Sequence, residues 1–411
     1  MFILFISYNN YVIILLGDYK MSKRRIIAFY ILYFMYAICV NIVHPITVKY
    51  VDSLNLPDSY FGFFVSLMSL GQVVGAILFG FLSDKIGRKW LVVIGLFGYC
   101  LAQVGFGFIN TYPLVILMFR FLAGVFVAAP ATLFVSMCLD YCDEDKKVKM
   151  LTIHSSCYIL GTAVGYEVGG ALYNYLQLTI SNVFIFQICF TIFTALLFSL
   201  LVKDVFKKQT QSNVVYDKKS YQIKPIVYFL LISLMVITVA QILINKYLDT
   251  YIIHIGYEPA ILGHYVLITG IVSALSNIAI IPLIKKIKGR KLEYCLLGFL
   301  ALSAILTFIT FLVKTNILYL LFTTHLMYIV IKGLITPLEQ NELSLYTNNT
   351  NKGKITGLRQ TVISFGNVCG PLIGSVVYTN GSPVIFIVAA SIIIISLIMY
   401  LTYFAIKRRQ A

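Results

Sequence analysis

The sequence predicts an all-α integral membrane protein in which twelve transmembrane helices form two pseudo-symmetric six-helix bundles, and three observations predict it. Of the 411 residues, 60% are apolar and only 12% are charged, whereas about a quarter of the residues of an ordinary soluble domain are charged. The apolar residues form runs long enough to cross a bilayer as helices of about 20 residues. Short glycine motifs of the first half recur in the second half. A water-soluble globule is therefore excluded.

Twelve apolar runs are bounded by clusters of charged or turn-forming residues, which is the hydropathy pattern of transmembrane helices. The predicted spans are 27–48, 60–82, 90–110, 114–138, 150–173, 182–202, 226–248, 261–284, 293–313, 316–338, 356–378 and 383–405. Because the number of spans is even, both termini lie on the same side of the membrane.

The formal net charge is +16, from 32 Lys and Arg against 16 Asp and Glu. Three basic residues lie inside predicted spans: Arg120, Lys246 and Lys332. Two more, Lys49 and Lys314, lie in loops on the side of the membrane opposite to the termini. All the other basic residues lie on the side of the two termini and of the loop between spans 6 and 7. Because Lys and Arg concentrate in cytoplasmic loops, we expect cytoplasmic termini in a multi-pass protein of the cell membrane. The basic excess marks orientation and gives no reason to expect nucleic acid as a partner.

An internal repeat divides the chain into two halves. Gly87-Arg88-Lys89 recurs as Gly289-Arg290-Lys291, and the four-residue glycine spacing that begins at Gly161 recurs from Gly366, in the same order. The predicted organisation is an N-terminal extension at 1–24, a six-helix bundle at 25–202, a cytoplasmic linker at 203–225, a second six-helix bundle at 226–406 and a cytoplasmic tail at 407–411. We expect the extension to be disordered or an over-called start, because Met21 and the basic residues after it resemble a natural N terminus.

Two parallel repeats imply a pseudo-two-fold axis along the membrane normal and a site near the midplane, which is the arrangement of transporters that work by alternating access. The sequence contains no G-x-x-x-x-G-K-[ST] loop, no metal-ligand cluster and no nucleophile elbow. We therefore expect no ATP drive, no enzymatic activity, no cofactor and no metal site. The eight cysteines show no CxxC spacing, and most lie in apolar runs, where they act as small apolar side chains.

The loop after span 2 runs from Gly80 to Lys89 as G-F-L-S-D-K-I-G-R-K. This pattern, G-x-L-x-D-x-x-G-R-K, resembles the signature loop of the major facilitator superfamily. The resemblance implies a latch that closes the cytoplasmic side: Gly80 allows close helix packing, Asp84 accepts hydrogen bonds from a neighbouring helix end or basic side chain, and Gly87 allows a turn before Arg88. A merely solvated basic loop is the alternative.

Span 5 carries a G-x-x-x-G-Y-x-x-G-G element, which resembles the G-x-x-x-G-P-x-x-G-G element of exporters in that superfamily that exchange protons for drugs. Tyr166 stands in place of the proline, which span 11 restores as Pro371. Glycines spaced by four residues form a flat face that lets a partner helix come close, and general helix packing of this kind is the alternative. The motif glycines are Gly161, Gly165, Gly169, Gly170, Gly366, Gly370 and Gly374.

Arg120 and Gly124 form an R-x-x-x-G sequence in span 4, which resembles an element of the superfamily in which the arginine is implicated in proton coupling. A charge inside a membrane helix is costly and needs a partner or a water-filled cavity. At ~1.5 Å per residue, Arg120 and Glu167 lie at a similar depth in consecutive antiparallel spans. We expect a buried pair that protonation of Glu167 disrupts, and a static structural pair is the alternative.

The remaining polar groups inside the spans give weaker signals. Lys332 and Glu339 lie about two turns apart on one face of span 10, where they could bind substrate or a proton, and a water-exposed role is the alternative. His44 in span 1 could carry a proton or be a hydrogen-bonded structural histidine. Lys246 and Asp249, near the outer end of span 7, are expected to reach the membrane interface.

The sequence thus predicts a secondary active transporter that exports small compounds, lipophilic or cationic ones among them, in exchange for protons by alternating access. A proton symporter or uniporter that imports a small metabolite is one alternative, and a non-transporting receptor on the same fold is another. The expected partners are a small-molecule substrate, protons and the lipid bilayer, and we expect a monomer.

Overall fold

A computed structural model describes residues 23–109, 112–140, 147–202, 224–286, 290–313, 316–347, 352–379 and 381–410. Most of the predicted N-terminal extension and of the linker at 203–225 lies outside these residues. Met21, the alternative start, lies outside them too. The side chains of Asp84 and of residues 23–25, 140, 147–149, 277–286, 352–353 and 410 also lie outside the description.

The described residues form twelve long helices, α1 to α12. Helix α1 is interrupted: a first part at Lys23–Asn41 is followed by a 3₁₀ turn at His44–Ile46 and a last part at Thr47–Ser53. Helix α10 is continuous from Ile317 to Ser344 but contains a π-helical turn at Leu321–His325. The others are α2 Ser59–Ile86, α3 Lys89–Phe108, α4 Pro113–Asp140, α5 Lys147–Asn174, α6 Ile180–Leu201, α7 Pro225–His254, α8 Pro259–Lys286, α9 Arg290–Leu312, α11 Lys352–Val377 and α12 Val384–Gln410.

The helices confirm the predicted fold class, since each of the twelve predicted spans falls on one of them. By length and composition, 11 are apolar enough to cross a membrane. The twelfth is α5, which is 28 residues long but contains glycines and polar groups such as His154 and Glu167. The chain is therefore a multi-pass membrane protein.

The internal repeat is visible in the packing of the helices. In the first half α1 packs against α5 and α6, α2 against α4, and α3 against α4 and α6. In the second half the corresponding pairs are α7 with α11 and α12, α8 with α10, and α9 with α10 and α12. The halves meet through α2 with α11 and through α5 with α8, which are also equivalent pairs. This pattern is that of two six-helix bundles related by a pseudo-two-fold axis.

Candidate functional site

A polar contact joins the two halves inside the membrane-spanning region. The Tyr166 hydroxyl donates a hydrogen bond of 2.8 Å to Asp249 Oδ2, so that α5 of the first half is tied to α7 of the second. Asp249 is only 3% exposed, and it lies ~7.5 Å from the end of its helix at 1.5 Å per residue, because α7 continues to His254. The prediction that Asp249 reaches the membrane interface is therefore wrong.

The His44 ring packs against a face of the Tyr166 ring. The two rings stack with 5.6 Å between centroids and an interplanar angle of 4°. His44 occupies the 3₁₀ turn of α1, where Pro45 follows it and breaks the regular helix, because proline has no N–H to donate and fits poorly inside a helix. The break in α1 thus places an imidazole against the tyrosine that bonds Asp249.

Arg120 is buried close to the same tyrosine. Its side chain is 3% exposed, its Nε has no hydrogen-bond partner in the described part of the chain, and its Cζ lies 4.5 Å from the centroid of the Phe106 ring. A cation over an aromatic face is attracted by the ring quadrupole. The charge of Arg120 acts electrostatically on Tyr166 and on His44, so the guanidinium belongs to this cluster.

Two lysines of the second half face the same region. Lys246 lies one turn before Asp249 on α7, and the two charges interact electrostatically. Lys332 on α10 is within electrostatic range of Lys246. We name Arg120, His44, Tyr166, Lys246 and Asp249 the central cluster, with Lys332 at its edge. Its members come from both halves, and Lys246 belongs to it instead of reaching the membrane interface as predicted.

The predicted contact between Arg120 and Glu167 is wrong. The Glu167 carboxylate lies 2.8 Å from Nδ1 of His264 on α8, while the Arg120 guanidinium lies over the Phe106 ring of α3. Gly165 packs against Ile38 and Asn41 of α1, and Glu167 lies about 200° around the helix from Gly165 at 100° per residue. Glu167 therefore faces α8, not α4.

The ends of α5 and α8 near Glu167 form one part of a seal between the halves. The Asn174 side chain donates a hydrogen bond of 2.8 Å to Glu258 and accepts one of 2.9 Å from the Ala260 backbone N–H. The Tyr175 hydroxyl lies 2.8 Å from Nε2 of His264. These contacts close the boundary between α5 and α8 at the C-terminal end of α5.

A second part of the seal lies where α1 and α2 meet α7. His254 at the end of α7 lies 3.7 Å from an oxygen of Asp52 and 3.9 Å from an oxygen of Asp58, and its Nδ1 lies 3.0 Å from the Tyr378 hydroxyl. The ligand atoms of the histidine and the two aspartates lie within 4.8 Å of one another, a spacing that a cation could use and that the sequence did not indicate. Deeper along the boundary, the Ser66 hydroxyl donates a hydrogen bond of 2.9 Å to the Val368 carbonyl.

On the opposite side, helices α2 and α11 diverge. A Cβ at Gly62 would lie 2.7 Å from Ser375 Cβ, so the two helices are in close contact there. Gly80 lies five turns further on the same face of α2, and a Cβ there would meet no atom within 4 Å. The same holds at Gly357 on α11. Among the described residues, α2 and α11 are thus in close contact at the His254 end and apart at the end that carries the loop after α2, which we call the sealed and the open end.

The loop after α2 turns at Gly87, as the sequence predicts. Gly87 has a φ of +88°, which an L-residue rarely adopts, and its N–H bonds the Ser83 carbonyl. Helix α3 begins at once, with Arg88 as its N-terminal cap and Lys89 as its first residue, and the Lys89 ammonium lies 5.1 Å from the Trp90 ring. The role of this loop as a latch stays a prediction.

The glycine motifs pack each half internally. Gly161, Gly165 and Gly169 on α5 lie against α1, where a Cβ would approach Ala37 Cβ, Asn41 Cβ and Pro45 Cγ to 2.6, 2.9 and 2.9 Å. In the second half Gly366 and Gly370 lie against Thr238 and Ile242 of α7, Gly374 lies against Tyr247, and the Pro371 carbonyl accepts a hydrogen bond of 2.9 Å from the Tyr247 hydroxyl. Gly170 differs from the others because it faces Pro259 and Ala260 of the other half.

Glu339 lies apart from the central cluster. The Tyr400 hydroxyl donates a hydrogen bond of 2.8 Å to its Oε1, so Glu339 is held by α12 of its own half. The charge of Lys332 interacts electrostatically with that of Lys246 instead. The shared helix face that the sequence predicted does not make Lys332 and Glu339 partners.

Sequence reasoning missed His264 and underrated Tyr166 and Asp249. Tyr166 counted only as a departure from a proline motif, and Asp249 only as the end of a span. One signal was available: Lys246 and Asp249 lie three residues apart, so they share a face of α7, which favours a functional pair inside the helix over two interfacial charges.

With this architecture in place, the chain belongs to the major facilitator superfamily of transporters. The Major Facilitator Superfamily model matches residues 29–338 and 295–411. Multidrug resistance protein 2 of Bacillus subtilis (strain 168) is 22% identical over 373 residues, which cover 87% of this chain and 90% of that protein. Tetracycline resistance protein, class B, of Escherichia coli is 23% identical over 370 residues, 86% of this chain and 88% of that protein.

Solved structures confirm the fold. A bacterial homologue of the human lysosomal transporter Spinster, in an inward-facing and unoccupied conformation, has a TM-score of 0.74 at 12% identity and covers 94% of this chain and 97% of its own. A D-xylose–proton symporter has a TM-score of 0.71 at 16% identity and covers 91% and 96%. Since proteins with such different names share this fold, the solute has to be argued from the site.

Proposed function

We propose that the protein is a proton-coupled antiporter that exports small organic compounds by alternating access. The observation that carries the proposal is the hydrogen bond from Tyr166 to Asp249, because it places a buried titratable group on the boundary that must open and close. A molecule sealed at one end and open at the other is one of the two states that such a cycle needs. The multidrug and tetracycline resistance relatives support export as the direction.

Protonation of Asp249 is the coupling step. As a carboxylate, Asp249 accepts the Tyr166 hydrogen bond and attracts the cation of Lys246. As a neutral acid it attracts neither as strongly, because charge-assisted hydrogen bonds are about twice as strong as neutral ones. Arg120 contributes a fixed positive charge beside this contact. Proton uptake therefore loosens the boundary between the halves.

Glu167 contributes to the same cycle through the seal. Its partner His264 belongs to the other half, so the contact exists only while that side is closed. This role replaces the direct pairing with Arg120, and it keeps both residues in the proton-coupled machinery.

In the membrane, we place both termini and the open side in the cytoplasm of a cell membrane, since the basic residues concentrate there. The state described above is then open to the inside, and the latch loop would close it in the other state. One chain contains both halves and the whole central cluster, so a monomer is the transporting unit.

The test is transport by the purified chain in liposomes under an imposed pH gradient. With the lumen acidic, an antiporter accumulates solute as protons leave, and Asp249→Asn abolishes this accumulation while leaving exchange of solute down its own gradient. Asp249→Glu, which keeps a carboxyl group, retains part of the coupling. Accumulation only with an acidic exterior identifies a symporter, transport indifferent to pH identifies a uniporter, and no turnover of any solute identifies a receptor.

A further inference from the structure

Three cations of the membrane-spanning region form no ion pair with a carboxylate in the described part of the chain. Arg120, Lys246 and Lys332 take part in no ion pair and no hydrogen bond with any residue that the structure describes. Arg120 is 3% exposed and its Nε is without a hydrogen-bond partner. Such charges in a membrane are costly, and they face an aqueous cavity or a ligand.

The three cations converge although they lie on three different helices. The charges of Arg120 on α4 and of Lys332 on α10 each interact electrostatically with the charge of Lys246 on α7. Helix α4 does not pack at length against α7 or α10 in the described part of the chain. The three charges therefore approach one another across the boundary between the halves and not along an extended helix–helix contact.

The carboxylates of the described spans do not neutralise them. Glu167 is held by His264, and Glu339 by Tyr400. Glu293 and Glu342 share Lys407, at 2.8 Å each. Asp249 is the one carboxylate of the central cluster among the described residues, and it already accepts a hydrogen bond from Tyr166. Three positive charges thus face one negative charge.

We propose that the central cluster binds an anionic group, so that the solute of this transporter is an organic anion and not a cation. The proposal rests on the proposed function for the movement of the solute and on the unpaired cations for its charge. Arginine donors in a planar fork and a lysine ammonium are the groups that bind carboxylates, sulfonates and phosphates. The excess of cations opposes a cationic solute by like-charge repulsion.

The depths of the residues give the solute an orientation. At 1.5 Å per residue, Arg120 and Lys246 lie ~10–12 Å from the sealed ends of their helices, whereas Lys332 lies ~22 Å from the corresponding end of α10, toward the open side. The anionic group is expected between Arg120 and Lys246. Lys332 lies on the way in, and the stacked rings of His44 and Tyr166 offer a flat wall for the body of the solute.

The test uses pairs of compounds with similar ring systems and opposite charges: benzoate and benzylamine, and carboxyfluorescein and rhodamine 6G. The full chain is purified and returned to phosphatidylcholine liposomes, which contain no anionic lipid whose headgroup could compete for the site. Binding is measured by the thermal shift of the purified protein, and transport by uptake into the liposomes.

We expect the anions, and not the cations, to raise the melting temperature and to be transported. Lys246→Gln should weaken anion binding at least tenfold and Lys332→Gln about threefold. Lys224→Gln, an exposed lysine at the start of the same helix, removes an equal charge and should change nothing. Equal melting temperatures of the ligand-free variants would show that the fold is intact. Lys246→Arg, which keeps the positive charge, should retain anion binding.

The outcomes separate this inference from the proposed function. Binding and transport of the cations in preference to the anions overturn the organic-anion assignment and leave the transporter intact. Anion binding that depends on Lys246, without turnover, supports the anion site and overturns transport. Anion binding that Lys246→Gln leaves unchanged, or no anion binding at all, overturns the site.

Discussion

The Tyr166 hydroxyl and the Asp249 carboxylate form a 2.8 Å hydrogen bond between the two halves of the molecule, inside the membrane-spanning region. Tyr166 is ordered from one side by the His44 ring, which stacks on it. Tyr166, which stands at the proline position of the motif in span 5, therefore carries a contact between the halves, and we propose that the opening of this boundary depends on it.

Removing the Tyr166 hydroxyl is expected to weaken the observed state. A hydrogen bond to a charged group contributes about 2 kcal/mol, so Tyr166→Phe should shift the population away from the state with the seal closed by up to ~30-fold. Pulsed-EPR distances between labels at the open-side ends of α2 and α11 measure that population. Tyr228→Phe, at a tyrosine that is 45% exposed, is the matched control, and equal distances in both variants would contradict the proposed role.

The contacts of His264 are expected to hold the seal closed. Its Nδ1 lies 2.8 Å from Glu167 and its Nε2 lies 2.8 Å from the Tyr175 hydroxyl, so one imidazole of the second half contacts two side chains of the first half. A side-chain hydrogen bond contributes about 1 kcal/mol, so His264→Leu, which removes both contacts, should lower the population of the closed seal by up to ~30-fold.

The population of the closed seal can be measured from the distance between labels across the sealed side. His264→Leu should shift this distance toward that of the opened seal. His154→Phe is the control, because His154 stacks within the first half on Tyr33, with 3.7 Å between ring centroids, and phenylalanine retains the stacking. A distance unchanged in His264→Leu would show that other groups hold the seal.

Adding a methyl group at Gly169 is expected to destabilise the protein. A Cβ there would collide with the Ile42 carbonyl and lie 2.9 Å from Pro45 Cγ, at the break in α1 that positions His44. Overpacking of this kind costs about 1–3 kcal/mol. Gly298→Ala is the control, since a Cβ there meets nothing within 4 Å and alanine favours a helix by up to ~1 kcal/mol. Thermal melting of the two purified variants should move in opposite directions.

The helices and the two halves could be predicted from sequence because each depends on a local or repeated pattern. An apolar run between charged clusters can satisfy its backbone in lipid only as a helix, and repeated glycine motifs give equivalent packing of α5 on α1 and of α11 on α7. The end of span 7 was misplaced because Asp249 was taken as its boundary, whereas the helix continues to His254 and buries the aspartate.

The partner of Glu167 could not be predicted from depth alone. Residue counting places Arg120 and Glu167 at a similar level, but depth does not fix the rotation of a helix about its axis. The rotation of α5 is set by its glycine face, which packs on α1 and turns Glu167 toward His264 of the other half. That contact is between residues distant in sequence, and no local pattern announces it.

Large side chains at Gly80 and Gly357 are expected to trap the molecule in the state described here. Both glycines face open space in this state, so Gly80→Leu and Gly357→Leu should be accommodated without loss of melting temperature. Closure of the open side would bring α2 and α11 together along the face that Gly62 and Ser66 already use at the sealed end. A leucine on that face would then collide with the partner helix, because small residues are what allow such close approach. Binding of solute from the open side should persist while transport falls at least tenfold. Gly298→Leu, at another unoccupied glycine, should leave both unchanged, and normal transport by Gly80→Leu would mean that α2 and α11 do not close on that face.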